Sequence, residues 1–210
     1  MLNKSILAAA AVALSSSAAF AQQEFTATLV EQAILPANTI IAPPETAPSS
    51  LAMAGKYTTP NRFRVTDLGT VPGKDGVRLT GLALPFDGQA VQGFSGIKAI
   101  GDGTFWSLSD NGFGNKLNSV DAALMIHHLG FDWDASTVDR METIFLSDPD
   151  GNVPFPIVHE GTVERFLTGG DLDIESIQPV ADGFWLGDEF GPFLVKVDLE
   201  GRVQSIVPTM

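Results

Sequence analysis

The sequence contains no cysteine, which excludes a disulfide, a thiolate nucleophile and a cysteine-ligated zinc. Basic residues are scarce as well. Twelve Lys and Arg stand against 25 Asp and Glu, for a formal charge of −13, and that balance argues against nucleic acid and anionic membrane surfaces as partners. No G-x-x-x-x-G-K-[ST] or G-x-G-x-x-G phosphate loop is present. Apolar runs are too short for a transmembrane helix, and no long helical periodicity follows Arg62.

The N-terminus has a pattern of its own. Met1-Leu2-Asn3-Lys4 carries one positive charge, Ile6 to Leu14 is apolar, and Ala19-Phe20-Ala21 forms an A-x-A site. Residues 1–21 therefore read as a secretory signal peptide. An exported chain without disulfides suits a bacterial periplasm or the medium, so a periplasmic or secreted protein is expected. Residues 22–60 read as an N-terminal extension, with "LPANTIIAPPETAPSS" (35–50) as a Pro/Ala/Ser linker.

From 61 to 210 the chain reads as one all-β domain. Short segments rich in Val, Ile, Phe, Leu and Thr alternate with Gly-containing turns. A four-strand unit recurs. Its first copy comprises 92–100, 104–110, 123–132 and 140–148, and its second 173–180, 184–189, 192–199 and 203–208. Each copy has a Phe-Trp pair just after a Gly-ended turn. Tandem four-stranded antiparallel units predict β-propeller blades, with a β-sandwich as the alternative. Adding 62–71 and 77–85 gives about two and a half blades where closed rings use about 4–8, so an incomplete, C-terminally truncated propeller is expected.

Hairpin counting locates the acidic residues. With Ala181-Asp182-Gly183 as a three-residue turn and Gly183 left-handed, Glu175 faces Glu189 and Ser176 faces Asp188. Around Gly101-Asp102-Gly103, Ser95 faces Ser109 and Phe94 faces Asp110. Opposed like charges destabilise a strand pair. Either the strand ends splay into water or a cation sits between them, and an all-oxygen donor set suits calcium better than zinc.

Other candidates carry less. Gly93-Phe94-Ser95-Gly96 lacks the second glycine and the βα context of a nucleophile elbow. His127 and His128 are adjacent on a strand and so point to opposite faces, and His159 sits in a loop without an evident partner. Arg165, shortly before the acidic stretch, reads equally as a surface charge or as a bidentate phosphate ligand.

The stretches "GFSGIKAIGDGTFWSLSDNGFGNK" (93–116) and "FLTGGDLDIESIQPVADGFWLGDEFGPFLVKVDLEGRV" (166–203), with "FLSDPDGNV" between them, resemble the esterase-like phytase family, also called the phytase-like domain. The likeness spans about 62–207. It implies an exported β-propeller that hydrolyses esters, plausibly phosphate esters. A more distant likeness links the chain to calcium-dependent propeller phytases and lactonases, whose acidic channel residues hold metal.

Carried over, the S-D-N-G motif falls on Ser109–Gly112, D-x-E-S on Asp173, Glu175 and Ser176, and G-D-E-[FY]-G-P on Gly187–Pro192. The expected metal ligands are Asp110, Asp173, Glu175, Asp188 and Glu189. Glu175, Asp188 and Arg165 are the expected catalytic residues, and Ser95 and Asn111 the expected substrate contacts. The leading expectation is a calcium-assisted phosphoesterase acting on a small-molecule ester through a bound water. A lactonase or carboxylic esterase, and a non-catalytic binding propeller, are the alternatives.

Overall fold

A computed structural model describes residues 26–57, 69–72 and 79–209. The expected signal peptide, and residues 62–68 and 77–78 of the expected half-blade, lie outside them. Glu31 onward forms one contact unit, and the following concerns that unit. Its strands are β1 (Ile40–Ile41), β2 (Gly69–Pro72), β3 (Leu79–Leu84), β4 (Gln89–Ala90), β5 (Phe94–Ala99), β6 (Thr104–Ser109), β7 (Met125–Asp132), β8 (Thr137–Phe145), β9 (Ile174–Val180), β10 (Gly183–Asp188), β11 (Phe193–Val197) and β12 (Val203–Pro208). The one helical turn among the described residues is a 3₁₀ turn at Ser49–Ala52.

The chain is all-β, as its turn spacing implies. β5 to β8 form one four-stranded antiparallel meander and β9 to β12 another, while β2 and β3 form a separate hairpin. No closed barrel forms among the described residues, and the two meanders are consistent with two blades of an incomplete propeller. Their first strands, β5 and β9, lie side by side.

Alternating apolar residues explain why the blades adhere. Leu108, Ile126 and Ile144 of the first blade join Ile177, Phe184, Leu186, Val195, Val197 and Val203 of the second in one buried cluster. The repeated Phe-Trp pair contributes directly: Trp106 meets Phe184 edge-on, with ring centroids 4.9 Å apart. Each large side chain buried this way contributes about 1.5–3 kcal/mol.

The Pro- and Ala-rich stretch supplies β1, which pairs with β4, and the 3₁₀ turn. Leu51 is fully buried against Ala123 and Phe166. The Gln89 side-chain amide donates to the Leu51 carbonyl at 2.6 Å, and the Lys56 N–H donates to Asp121 at 2.9 Å. Backbone groups of this irregular stretch are thus met by buried polar side chains of β4 and of the loop between β6 and β7.

The hairpin registers differ from simple counting at two places. The second turn has two residues, Ala181 and Asp182, because Gly183 already pairs with Val180. Gly183 has φ 142°, and a Cβ there would overlap the Val197 carbonyl of β11. The glycine keeps a positive φ but sits in the paired strand rather than in the turn, where it also permits a close backbone approach.

Both hairpins also carry a β-bulge near their open end. One falls between Phe94 and Gly96, the other between Gly187 and Asp188 opposite Ile174–Ser176. Ser95 and Glu175 are the extra residues. Phe94 consequently pairs with Ser109 and Ile174 with Asp188, and the next backbone bonds run from Asp110 N–H to Gly93 and from Glu189 N–H to Asp173. A bulge leaves its residue out of the ladder and re-aims the side chain.

Candidate metal centre

The bulges bring the acidic residues together in a way that strand counting misses. Glu189 lies opposite Asp173, and Glu175 is turned out of the ladder beside them. Asp173, Glu175 and Glu189 each offer a carboxylate oxygen within 4.8 Å of the other two. The Ser95 hydroxyl, from the matching bulge of the first blade, lies near enough to Glu175 to favour its charged form.

Asp173 joins the blades. It is 6% exposed and accepts from the Asn111 backbone N–H at 3.2 Å and from its side-chain amide at 2.6 Å. Asn111 is itself buried, and its amide oxygen accepts from Gly114 N–H at 2.7 Å. The residue expected to contact substrate therefore has its side chain engaged within the protein.

Asp110 occupies the slot in the first blade that Glu189 occupies in the second. Its carboxylate accepts from Gly112 N–H at 2.8 Å and fills the space where Gly93 would carry a Cβ. Asp188 has a different task. It accepts from Asp173 N–H at 2.7 Å and Gly191 N–H at 2.9 Å, clamping the backbone that carries Asp173 and Glu189. Arg165 points elsewhere: it donates to the Asp148 carbonyl at 2.8 Å, to the Asp148 carboxylate at 3.0 Å and to Glu160 at 2.7 Å.

Crowding registers in the acidities. Burial raises the Glu175 carboxyl above its ordinary value; the Ser95 hydroxyl opposes this, and the charges of Asp173, Asp110 and Glu189 add to it. Burial likewise raises Asp110, with Gly112 N–H opposing and Asp173 adding. Asp188 is raised by burial against three backbone N–H donors, from Asp173, Gly191 and Phe190, and against the charge of Lys116. Like charges held this close favour protonation or a bound cation.

The histidines stand apart from this chemistry. His127 is fully buried between Ser109 and Thr143, and burial depresses its pKa to about 3, with the Arg140 charge assisting. It is therefore neutral and takes no proton near neutral pH. His128 stacks on Trp106 at 4.6 Å. A groove of about 610 Å³ that includes Trp106, Phe184, Phe166 and Arg202 contains none of the acidic cluster.

Sequence reasoning passed over Lys116. Its ammonium lies 4.8 Å from the centre of the Phe190 ring, next in sequence to Glu189, and its charge reaches Asp188 and Asp171. The only sequence signal was its place at the end of the S-D-N-G-F-G-N-K loop.

The fold and the oxygen cluster define an all-β protein with three acidic side chains, at the junction of two antiparallel sheets, that could hold a metal ion. The phytase-like family, described as "Esterase-like activity of phytase", matches residues 89–210, and the chain belongs to that family. No curated protein and no solved structure matches it.

Proposed function

We propose that the chain is an exported ester hydrolase of the phosphoesterase type, assisted by calcium. The observation that supports this best is the convergence of Asp173, Glu175 and Glu189 oxygens within 4.8 Å. Calcium–oxygen distances are about 2.3–2.6 Å, so oxygens about 4.8 Å apart can share one ion. The donor set is oxygen only, which suits a hard cation. Export rests on the pattern of residues 1–21, and the substrate class on the family description.

Asp173, Glu175 and Glu189 would hold the ion, with Asp110 beside them. Bound there, calcium supplies charge neutralisation of the phosphate ester and polarisation of a P–O bond. Glu175, turned out of the ladder beside Asp173 and Glu189, is the carboxylate placed to take a proton from the attacking water through an oxygen not engaged by the ion. Ser95 stands beside the Glu175 carboxylate and favours its charged form. Asp188 acts through position alone, fixing the Asp173 and Glu189 backbone.

The test is turnover of a generic phosphate monoester before and after calcium chelation, with a lactone and a carboxylic ester alongside. Loss of phosphate-ester turnover on chelation and its return with calcium are expected. Undiminished turnover would remove the metal from the mechanism, and faster turnover of the lactone would replace the substrate class. Calcium-dependent stability with no turnover on any of the three would leave a binding protein.

A further inference from the structure

We propose that Lys116 is the residue of this site that recognises the anionic phosphate group of the substrate, and so selects phosphate monoesters over neutral esters. The inference rests on the phosphoesterase reading and adds to it. Calcium on three carboxylates leaves little net positive charge for a phosphate dianion, so a side-chain cation beside the site adds to the recognition of that group.

Most described cations are committed elsewhere. Arg165 is bound to Asp148 and Glu160, Lys196 pairs with Asp182 at 2.8 Å, and Arg140 donates to Thr143. Lys116, although exposed among acids, makes no salt bridge or side-chain hydrogen bond among the described residues. The two carboxylates whose charge it feels are already occupied. Asp171 accepts from Val158 N–H at 2.7 Å and from Thr168 N–H and hydroxyl at 2.8 and 2.9 Å, and Asp188 holds Asp173 and Gly191. Lys116 rests instead on the Phe190 face.

Both halves of that contact are tethered to the acidic cluster. Phe190 follows Glu189, and the loop bearing Lys116 starts at Asn111, which is bound to Asp173. Asn115 fixes the backbone beside Lys116 by accepting from Leu117 N–H at 3.0 Å and Asn118 N–H at 3.1 Å. The base of the side chain is thus anchored and its tip is held loosely. An exposed cation–π contact is worth about 0.5–1 kcal/mol, less than a charge-assisted bond to phosphate, so the ammonium can leave the ring when phosphate arrives.

Binding of inorganic phosphate to the calcium-loaded protein, measured by titration calorimetry, tests this. In Lys116→Ala the phosphate Kd should rise at least about tenfold, or about 1.4 kcal/mol, while calcium affinity is kept. Lys116→Arg should restore most of the phosphate affinity. In turnover, Lys116→Ala should raise KM for a phosphate monoester and leave KM for a neutral carboxylic ester unchanged. Wild-type protein that binds calcium but no phosphate would overturn the phosphoesterase reading, and this proposal with it. Wild-type binding matched by Lys116→Ala would overturn the role of Lys116 alone. Equal KM increases for charged and neutral esters would do the same.

Discussion

Asp173 is asked to do two things at once, and two substitutions separate them. Asp173→Ala removes the acceptor of both Asn111 bonds. Hydrogen bonds to a charged group contribute about 1.5–3 kcal/mol each, and a buried amide left unpaired costs about 1–3 kcal/mol. Relief of like charge in the cluster offsets part of this, so the net loss is expected near 3 kcal/mol. For a domain of this size that lowers Tm by about 6–12 °C. Asp173→Asn keeps an oxygen for the Asn111 side-chain amide and costs roughly 1 kcal/mol, but it removes one negative charge from the three-oxygen cluster.

Calcium at a hundred times its Kd stabilises wild-type protein by about 2.7 kcal/mol. A tenfold weaker Asp173→Asn site leaves about 1.4 kcal/mol at the same calcium concentration. The assay is thermal unfolding of all three proteins with chelator and with calcium. A full calcium-induced rise in Asp173→Asn would refute Asp173 as a ligand. An Asp173→Ala protein as stable as wild type would refute the tie between the blades.

Two other predictions follow from the same geometry. The Glu175 carboxyl is raised in the folded state, so Glu175 favours folding below its ordinary value of 4.5 and loses that contribution as pH rises through the raised value. In chelator, Glu175→Gln should therefore gain Tm relative to wild type as pH climbs above about 4.5, and calcium should cancel the difference; a gain confined to low pH would refute the crowding. Arg165→Ala leaves the fully buried Asp148 side chain without its cation, so stability should fall by about 3 kcal/mol while the calcium-induced Tm rise is unchanged. A stable Arg165→Ala protein that has lost phosphate binding would put Arg165 back in the site.

Most of the strands were legible because turns and alternation announce them: Asp-Gly punctuation and Phe-Trp pairs locate β6 and β10 within a residue. The open ends were not, for a definite reason. Counting outward from a turn assumes one residue against one, and nothing about Ser95 or Glu175 as residue types marks an unpaired position. The partners of Asp188 were hidden too, since they are backbone N–H groups that any sequence supplies. Arg165 precedes Asp173 closely in the chain, yet its backbone turns through a φ of 49° and its side chain commits to Asp148. Lys116 is distant in sequence from Glu189 and meets it only through the ring of Phe190.

The two blades use one frame with different residues in it, and the differences make the site. Gly93 and Asp173 stand at equivalent backbone positions, as do Ser95 and Glu175, and Asp110 and Glu189. A side chain at position 93 would occupy the space that the Asp110 carboxylate fills. Such a side chain would therefore require the Asp110 carboxylate to move, and the φ of 62° there also favours glycine. The second blade keeps Asp173 because that carboxylate reaches across to Asn111 instead of folding back on its own hairpin. Three carboxylates thus stand on one blade and one on its neighbour, and the bulge at Glu175 turns its side chain out of the ladder to join Asp173 and Glu189 in one oxygen cluster.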